Sequence, residues 1–275
     1  MVHLRRRGIR PRSASVGGAA VVVLSVALVA ALTGCAGPGT DDGQRVADWI
    51  AGQDHVIGAE SYVSEDPWNK GVDLTVQVEP DIDDDDLIAL ADAAEKRARD
   101  AGWDNPFLSY DLGNGRSFSN LGGRATLDVF LGIRDDDHYV IASARGNGDC
   151  GGIFCVTVDA DDPGALLAEV DHLLELADRA GGVQTNLTFT ASSADGTARV
   201  SAEPSAPIDE AVEIWQRLAA TVPIEQGGAW SIEPVGDLPP LQTLELTVPD
   251  EAAKAQIDAV AAAQTRVDVR VTVTP

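Results

Sequence analysis

Val72-Asp73-Leu74-Thr75-Val76-Gln77-Val78-Glu79-Pro80 alternates apolar and polar side chains and then stops at proline. Successive strand residues point to opposite faces, so this run builds a strand with one buried and one wet face. Asp81 and Asp83 to Asp86 come next, supplying an N-cap and negative charge to a helix with Leu87, Leu90, Ala91, Ala94 and Ala98 on its apolar face. Gly102 is placed to cap its C-terminus.

The same grammar extends in both directions. Upstream, Val46, Trp49 and Ile50 fit a short amphipathic helix, and Ile57, Ala59 and Val63 a first strand. Downstream, Asp162-Pro163 opens a helix carrying Leu166, Val170, Leu173, Leu174 and Ala177, and Gly181-Gly182 closes it. Strands follow at Leu187 to Ala191 and Ala198 to Ala202, then a helix with Ile208, Ala211, Val212, Trp215, Leu218 and Ala219 on one face. Val76-x-x-Glu79-Pro80 recurs as Val200-x-x-Glu203-Pro204, an offset of about 124 residues that also matches the neighbouring elements. Trp103 and Trp230 follow the two helices, and later come Thr126-Leu127-Asp128-Val129 and Thr243-Leu244-Glu245-Leu246. This points to internal duplication.

Leu127 to Ile133, Leu244 to Val248 and Val267 to Val273 alternate as well, which argues against parallel sheets buried on both faces. The expected fold class is α+β: two related two-layer modules with antiparallel sheets and helices on one face, ferredoxin-like or split β-α-β in outline. Features this general carry no activity. The expected boundaries are a signal at 1–34, a lipidated Cys and flexible tether at 35–44, a first module at 45–160 and a second at 161–275.

Residues 104–124 read as a long loop inserted in the first module, and loops of this length are usually functional or disordered. Phe107, Tyr110 and Phe118 favour a loop that contacts a partner, because aromatics seldom populate purely solvating segments. Asn114-Gly115 equally fits a hairpin turn between two extra strands.

Other chemistry-bearing patterns are weaker. Gly146-x-Gly148-x-x-Gly151 matches a dinucleotide-binding glycine pattern, yet Phe154, Val156 and Val158 after it alternate as a strand, where a phosphate loop opens a helix. Cys150 and Cys155 most simply form a disulfide in an exported chain, with free thiols or a metal half-site as the alternatives. The aspartates at 81–86 lack the glycine of a calcium loop and suit helix capping, while Asp135-Asp136-Asp137-His138 suits a solvated turn. No Gly-x-Ser-x-Gly, His-Glu-x-x-His or Gly-Lys-Ser/Thr is found, so no catalytic residue, metal or cofactor is assigned.

The first 35 residues state a location. Arg5, Arg6, Arg7, Arg10 and Arg12 form a basic head, Ala19 to Ala31 an apolar run, and Leu32-Thr33-Gly34-Cys35 its end, which together read as an export signal. Leu32-Thr33-Gly34-Cys35 resembles the lipobox of bacterial lipoproteins. The resemblance implies that Cys35 is lipidated, that the chain is cut before it, and that the protein is lipid-anchored on the extracytoplasmic side of the cell membrane. Ala36 to Gly43 reads as a flexible tether spanning under roughly 30 Å, at about 3.5 Å per residue.

The chain holds 20 Lys and Arg against 44 Asp and Glu, a net charge of −24. Cleavage before Cys35 removes five arginines and no acid, leaving 15 basic residues against 44 acidic, or −29. Such a surface repels phosphate backbones and anionic headgroups, excluding nucleic acid and leaving membrane attachment to the lipid. The reading favoured is an envelope lipoprotein that binds or scaffolds an envelope partner. The alternative is an envelope hydrolase using carboxylate acid/base chemistry. A transporter's solute receptor fits less well, since its parallel α/β halves give continuous apolar strands.

Overall fold

The alternation at Val72 is a strand, and the architecture grows sideways from it. A computed structural model of the chain describes residues 39–64, 70–145, 150, 153–182, 187–232 and 241–274, and Gly39–Pro275 forms one compact unit. The lipobox and the glycines Gly146, Gly148 and Gly151 lie outside the described residues. Helix α1 (Thr40–Ala51) leads into strands β1 (Val56–Val63) and β2 (Val72–Val78). Then come α2 (Asp84–Asp100), β3 (Phe107–Gly113) and β4 (Arg116–Ser119), followed by α3 (Arg124–Leu131), β5 (Tyr139–Ala144) and β6 (Phe154–Val158). The pattern continues through α4 (Pro163–Arg179), β7 (Phe189–Ser193), β8 (Ala198–Ala202), α5 (Asp209–Ala219), β9 (Gln226–Ile232) and β10 (Leu241–Val248). It ends with α6 (Glu251–Ala261) and β11 (Val267–Val273).

The protein is therefore α+β, with a single 11-stranded sheet whose strands stand side by side in chain order. The sheet is mixed. Strands joined directly, such as β1 and β2, pair antiparallel, and strands joined through a helix, such as β2 and β3, pair parallel. This corrects the expectation of antiparallel sheets. Apolar–polar alternation reports that one face of a strand is wet; it does not report strand direction, and β2 keeps a wet face although it pairs parallel with β3. Nor do strands part at residue 160: β6 pairs with β7 through Phe154 and Phe189, joining the two halves in one sheet.

The described helices pack on the same side of the sheet. Gly43 of α1 meets Val63 and Val72, where a Cβ would come within 2.7 Å of the Val63 methyl. Phe130 of α3 stacks on Phe118 of β4 with centroids 5.0 Å apart, and Trp215 of α5 covers Gly227 of β9. The rows these helices cover, such as Leu74, Leu108, Val156, Val200 and Leu244, are fully buried. At about 1.5–3 kcal/mol for each large side chain buried, this layer is the main source of stability.

Three local expectations are corrected. Residues 40–44 are not a tether but the first turns of α1, where Asp42 accepts a hydrogen bond from the Gly39 N–H at 2.8 Å. Leu127 to Ile133 is not a strand: α3 runs through it, because Thr126, Leu127, Val129 and Phe130 also satisfy a helical face and Phe130 gains the stack on Phe118. Residues 104–124 are not a loop but the hairpin β3–β4, turning at Asn114 and Gly115 with φ of 52° and 72°. Both central residues in the left-handed region define the Asn-Gly hairpin turn.

Candidate functional site: the open face of the sheet

Among the described residues no helix packs on the other face of the sheet; its side chains over β5 to β8, such as Ser143, Cys155, Thr190 and Ser192, are nonetheless buried, and the face is exposed to solvent over β8 to β11. Its side chains are short and hydroxylated. Ser117 and Ser143 bond at 2.8 Å across β4 and β5, Thr157 and Ser192 at 3.2 Å across β6 and β7, and Thr190 and Ser201 at 2.9 Å across β7 and β8. Cross-strand hydroxyl pairs of this kind stabilise a sheet while adding little bulk above it. Cys155 lies on this face too, opposite Phe154 and Val156, and its 5.9 Å Cα separation from Cys150 closes the disulfide read from the sequence. The pair is buried and serves as a clip beside β6.

Over β8 to β11 the open face deepens into a groove of about 450 Å³. Register builds it. Arg199 of β8 stands beside Gly228 of β9, Gly228 beside Glu245 of β10, and Glu245 beside Arg270 of β11. Glycine leaves the middle of that row empty, since a Cβ at position 228 would meet nothing nearer than the Trp230 ring at 3.8 Å. In the next row Trp230 stands between Ser201 and Thr243, and its half-buried indole shelters both. Thr197, Gln226, Thr247 and Thr272 edge the opposite end. Beyond Trp230, Ile232 and Leu241 are 44% and 48% exposed on the same face.

The electrostatics of the groove are asymmetric. Arg270 is held by Glu245 at 3.1 Å and by Asp268 at 2.7 Å, and those carboxylates raise its already high pKa, Asp268 first. Arg199 is exposed and no carboxylate among the described residues pairs with it. In so acidic a chain this is a cation left available in a concave site.

The residues singled out from the sequence lie elsewhere. Tyr110 and Phe118 are each 1% exposed and stack at 4.4 Å with their planes 7° apart, facing the helices, so they are core and not partner contacts. Burial, with Glu95 and Asp92 of α2 adding to it, pushes the Tyr110 phenol pKa far up. Phe107 is half-buried, beside Asp73 at the start of β3. The aspartates cap and clasp. Asp83 accepts from the Asp86 N–H at 2.9 Å, and Asp84 and Asp135 each lie 3.2 Å from the buried Arg134. Asp136 takes the His138 N–H at 2.9 Å, and His138 reaches Glu169 at 3.2 Å. Among the described residues, no group of three or more His, Cys, Asp and Glu is arranged to hold a metal ion. Arg199, Gly228, Glu245 and Arg270 went unread because their grouping needs four strands in register. The linear signal was a charged residue at three of these four positions and a glycine at the other.

No protein-family model, curated protein or solved structure matches the chain.

Proposed function

We propose that the protein is a lipid-anchored, extracytoplasmic binding module of the cell envelope, with the groove on the sheet face over β8 to β11 as its binding surface. The observation that carries this reading is the placement of Leu32-Thr33-Gly34-Cys35 immediately before the fold: Ala36, Gly37 and Pro38 alone separate Cys35 from Gly39, where the compact unit begins. No helix among the described residues is long and apolar enough to cross a membrane, so attachment in this reading rests on the acyl chains of Cys35. A sheet whose one face packs on helices and whose other face carries an exposed groove suits binding, since the packed face holds the structure while the groove's side chains are left to contact a ligand. The 124-residue offset sets β2 against β8 and α2 against α5, in support of an ancestry in repeated helix–hairpin units. A hydrolase is not favoured: Glu245 and Asp268 are committed to Arg270, and Asp171, whose pKa burial and then Asp209 and Glu175 raise, lies on α4 outside the groove.

The test is metabolic labelling with a fatty-acid analogue in cells expressing the full chain and its Cys35→Ser variant. Label and membrane retention in the wild type, both lost in the variant, are the expected result. Equal retention of the two chains would remove the anchor from the reading.

A further inference from the structure

We infer that the groove over β8–β11 binds an acidic saccharide, its carboxylate paired with Arg199 and a sugar ring seated over Gly228 against Trp230. The inference rests on the groove being the binding surface, and it names the ligand class. On a sheet face the backbone N–H and C=O groups are consumed by the ladders, so the groove cannot extend a peptide's main chain as a sheet edge would. Recognition must then come from side chains. These are the hydroxyls of Thr247 and Thr272, the Gln226 amide and two guanidinium groups, a set suited to a ligand dense in hydroxyls. Trp230 adds a broad, partly apolar plane at one end. Gly228 leaves room for a ring between Arg199 and Glu245.

Charge narrows the choice. Arg270 is neutralised by Glu245 and Asp268, which leaves Arg199 to accept one negative charge. A guanidinium matches a carboxylate's geometry bidentately, whereas a polyphosphate would meet a single uncompensated cation in the groove of a chain of net charge −24. The groove crosses four strands, roughly 14 Å at the ~4.8 Å strand spacing, long enough for more than one ring.

The test uses the full chain in detergent, with binding read by calorimetry and by tryptophan fluorescence. The probes are galacturonic acid, galactose, acetate, tri-galacturonic acid and a tri-aspartate peptide. Galacturonic acid is expected to bind about ten- to a hundredfold more tightly than galactose, the range of a charge-assisted hydrogen bond. Arg199→Gln should erase that preference while keeping galactose affinity, and Trp230→Ala should weaken both sugars. Arg179→Gln, at the end of α4, should change neither. Tighter binding of the trimer assigns the site to a glycan chain, and equal binding assigns it to a free sugar acid. Acetate or tri-aspartate binding as well as galacturonic acid, an unchanged preference in Arg199→Gln, or no binding by any sugar would overturn the inference. Because Arg199 is exposed, the variant's melting curve should match wild type. Membrane retention through Cys35 is read separately, so a silent groove leaves the anchored module standing.

Discussion

The hairpins β3–β4 and β9–β10 occupy matching places three helix–hairpin units apart, yet they use their aromatics in opposite ways. In β3–β4, Tyr110 and Phe118 face the helices, stack on each other and receive Phe130 of α3. In β9 the helix face is reduced to Gly227, Ala229 and Ser231, with Trp215 of α5 filling the space over Gly227, and Trp230 faces the opposite side. A strand has period two, so the parity of one aromatic decides whether a hairpin is a structural wedge or a wall of a groove.

The largest effect expected from breaking this contrast is at Phe118. Phe118→Ala removes the partner of both Tyr110 and Phe130 and should cost about 3–5 kcal/mol, whereas Trp230→Ala, taken from the half-buried face, should cost about 1 kcal/mol. Urea midpoints at unchanged slope measure both; equal losses would refute the division of roles. A smaller but sharper comparison is between adjacent glycines. A Cβ at Gly227 would fall 2.2 Å from the Trp215 ring, so Gly227→Ala should cost about 2–3 kcal/mol through displacement of α5. Gly228→Ala meets nothing closer than 3.8 Å and should stay within about 0.5 kcal/mol of wild type.

The clip beside β6 comes next. Reduction of Cys150–Cys155, with a sequence separation of 5, should lower stability by about 2 kcal/mol through loop entropy, visible as a lower melting temperature in reductant. The smallest effect lies outside both hairpins. His55 has its pKa raised by its bond to Glu79 at 2.9 Å, offset in part by burial and aided by the charges of Glu79 and Asp86. Its stabilisation is fully present below about pH 6.5, the ordinary histidine value, and is lost as pH rises through the higher folded-state value. A melting temperature that declines slightly from pH 6 to 8 in wild type, but not in His55→Gln, is the expected signature.

Much of the fold was legible because its signals are local. Alternation at Val72–Val78 and Val267–Val273, and the caps Asp83 and Asp162, each belong to one element and survive in the structure. The failures arose where one short run satisfies two periods, as at Leu127 to Ile133, or where a property belongs to a pair of strands. Strand direction is such a property. The hairpin at 104–124 was half legible: Asn114-Gly115 fits the turn, but nothing linear shows that Tyr110 and Phe118 fall on the side the helices take.

The sequence alone determined the α+β class, the caps Asp83 and Asp162, the acidic character, and the buried and wet faces of strands such as Val72–Val78 and Val267–Val273. Tertiary structure alone decided that 11 strands form one mixed sheet, that the described helices take one side, that Cys150 meets Cys155, and that Arg199, Gly228, Glu245 and Arg270 form one row. The physical reason is range. Propensity, capping and periodicity act within a few residues, whereas a cross-strand row exists only once the register of four strands is set by what packs beneath them.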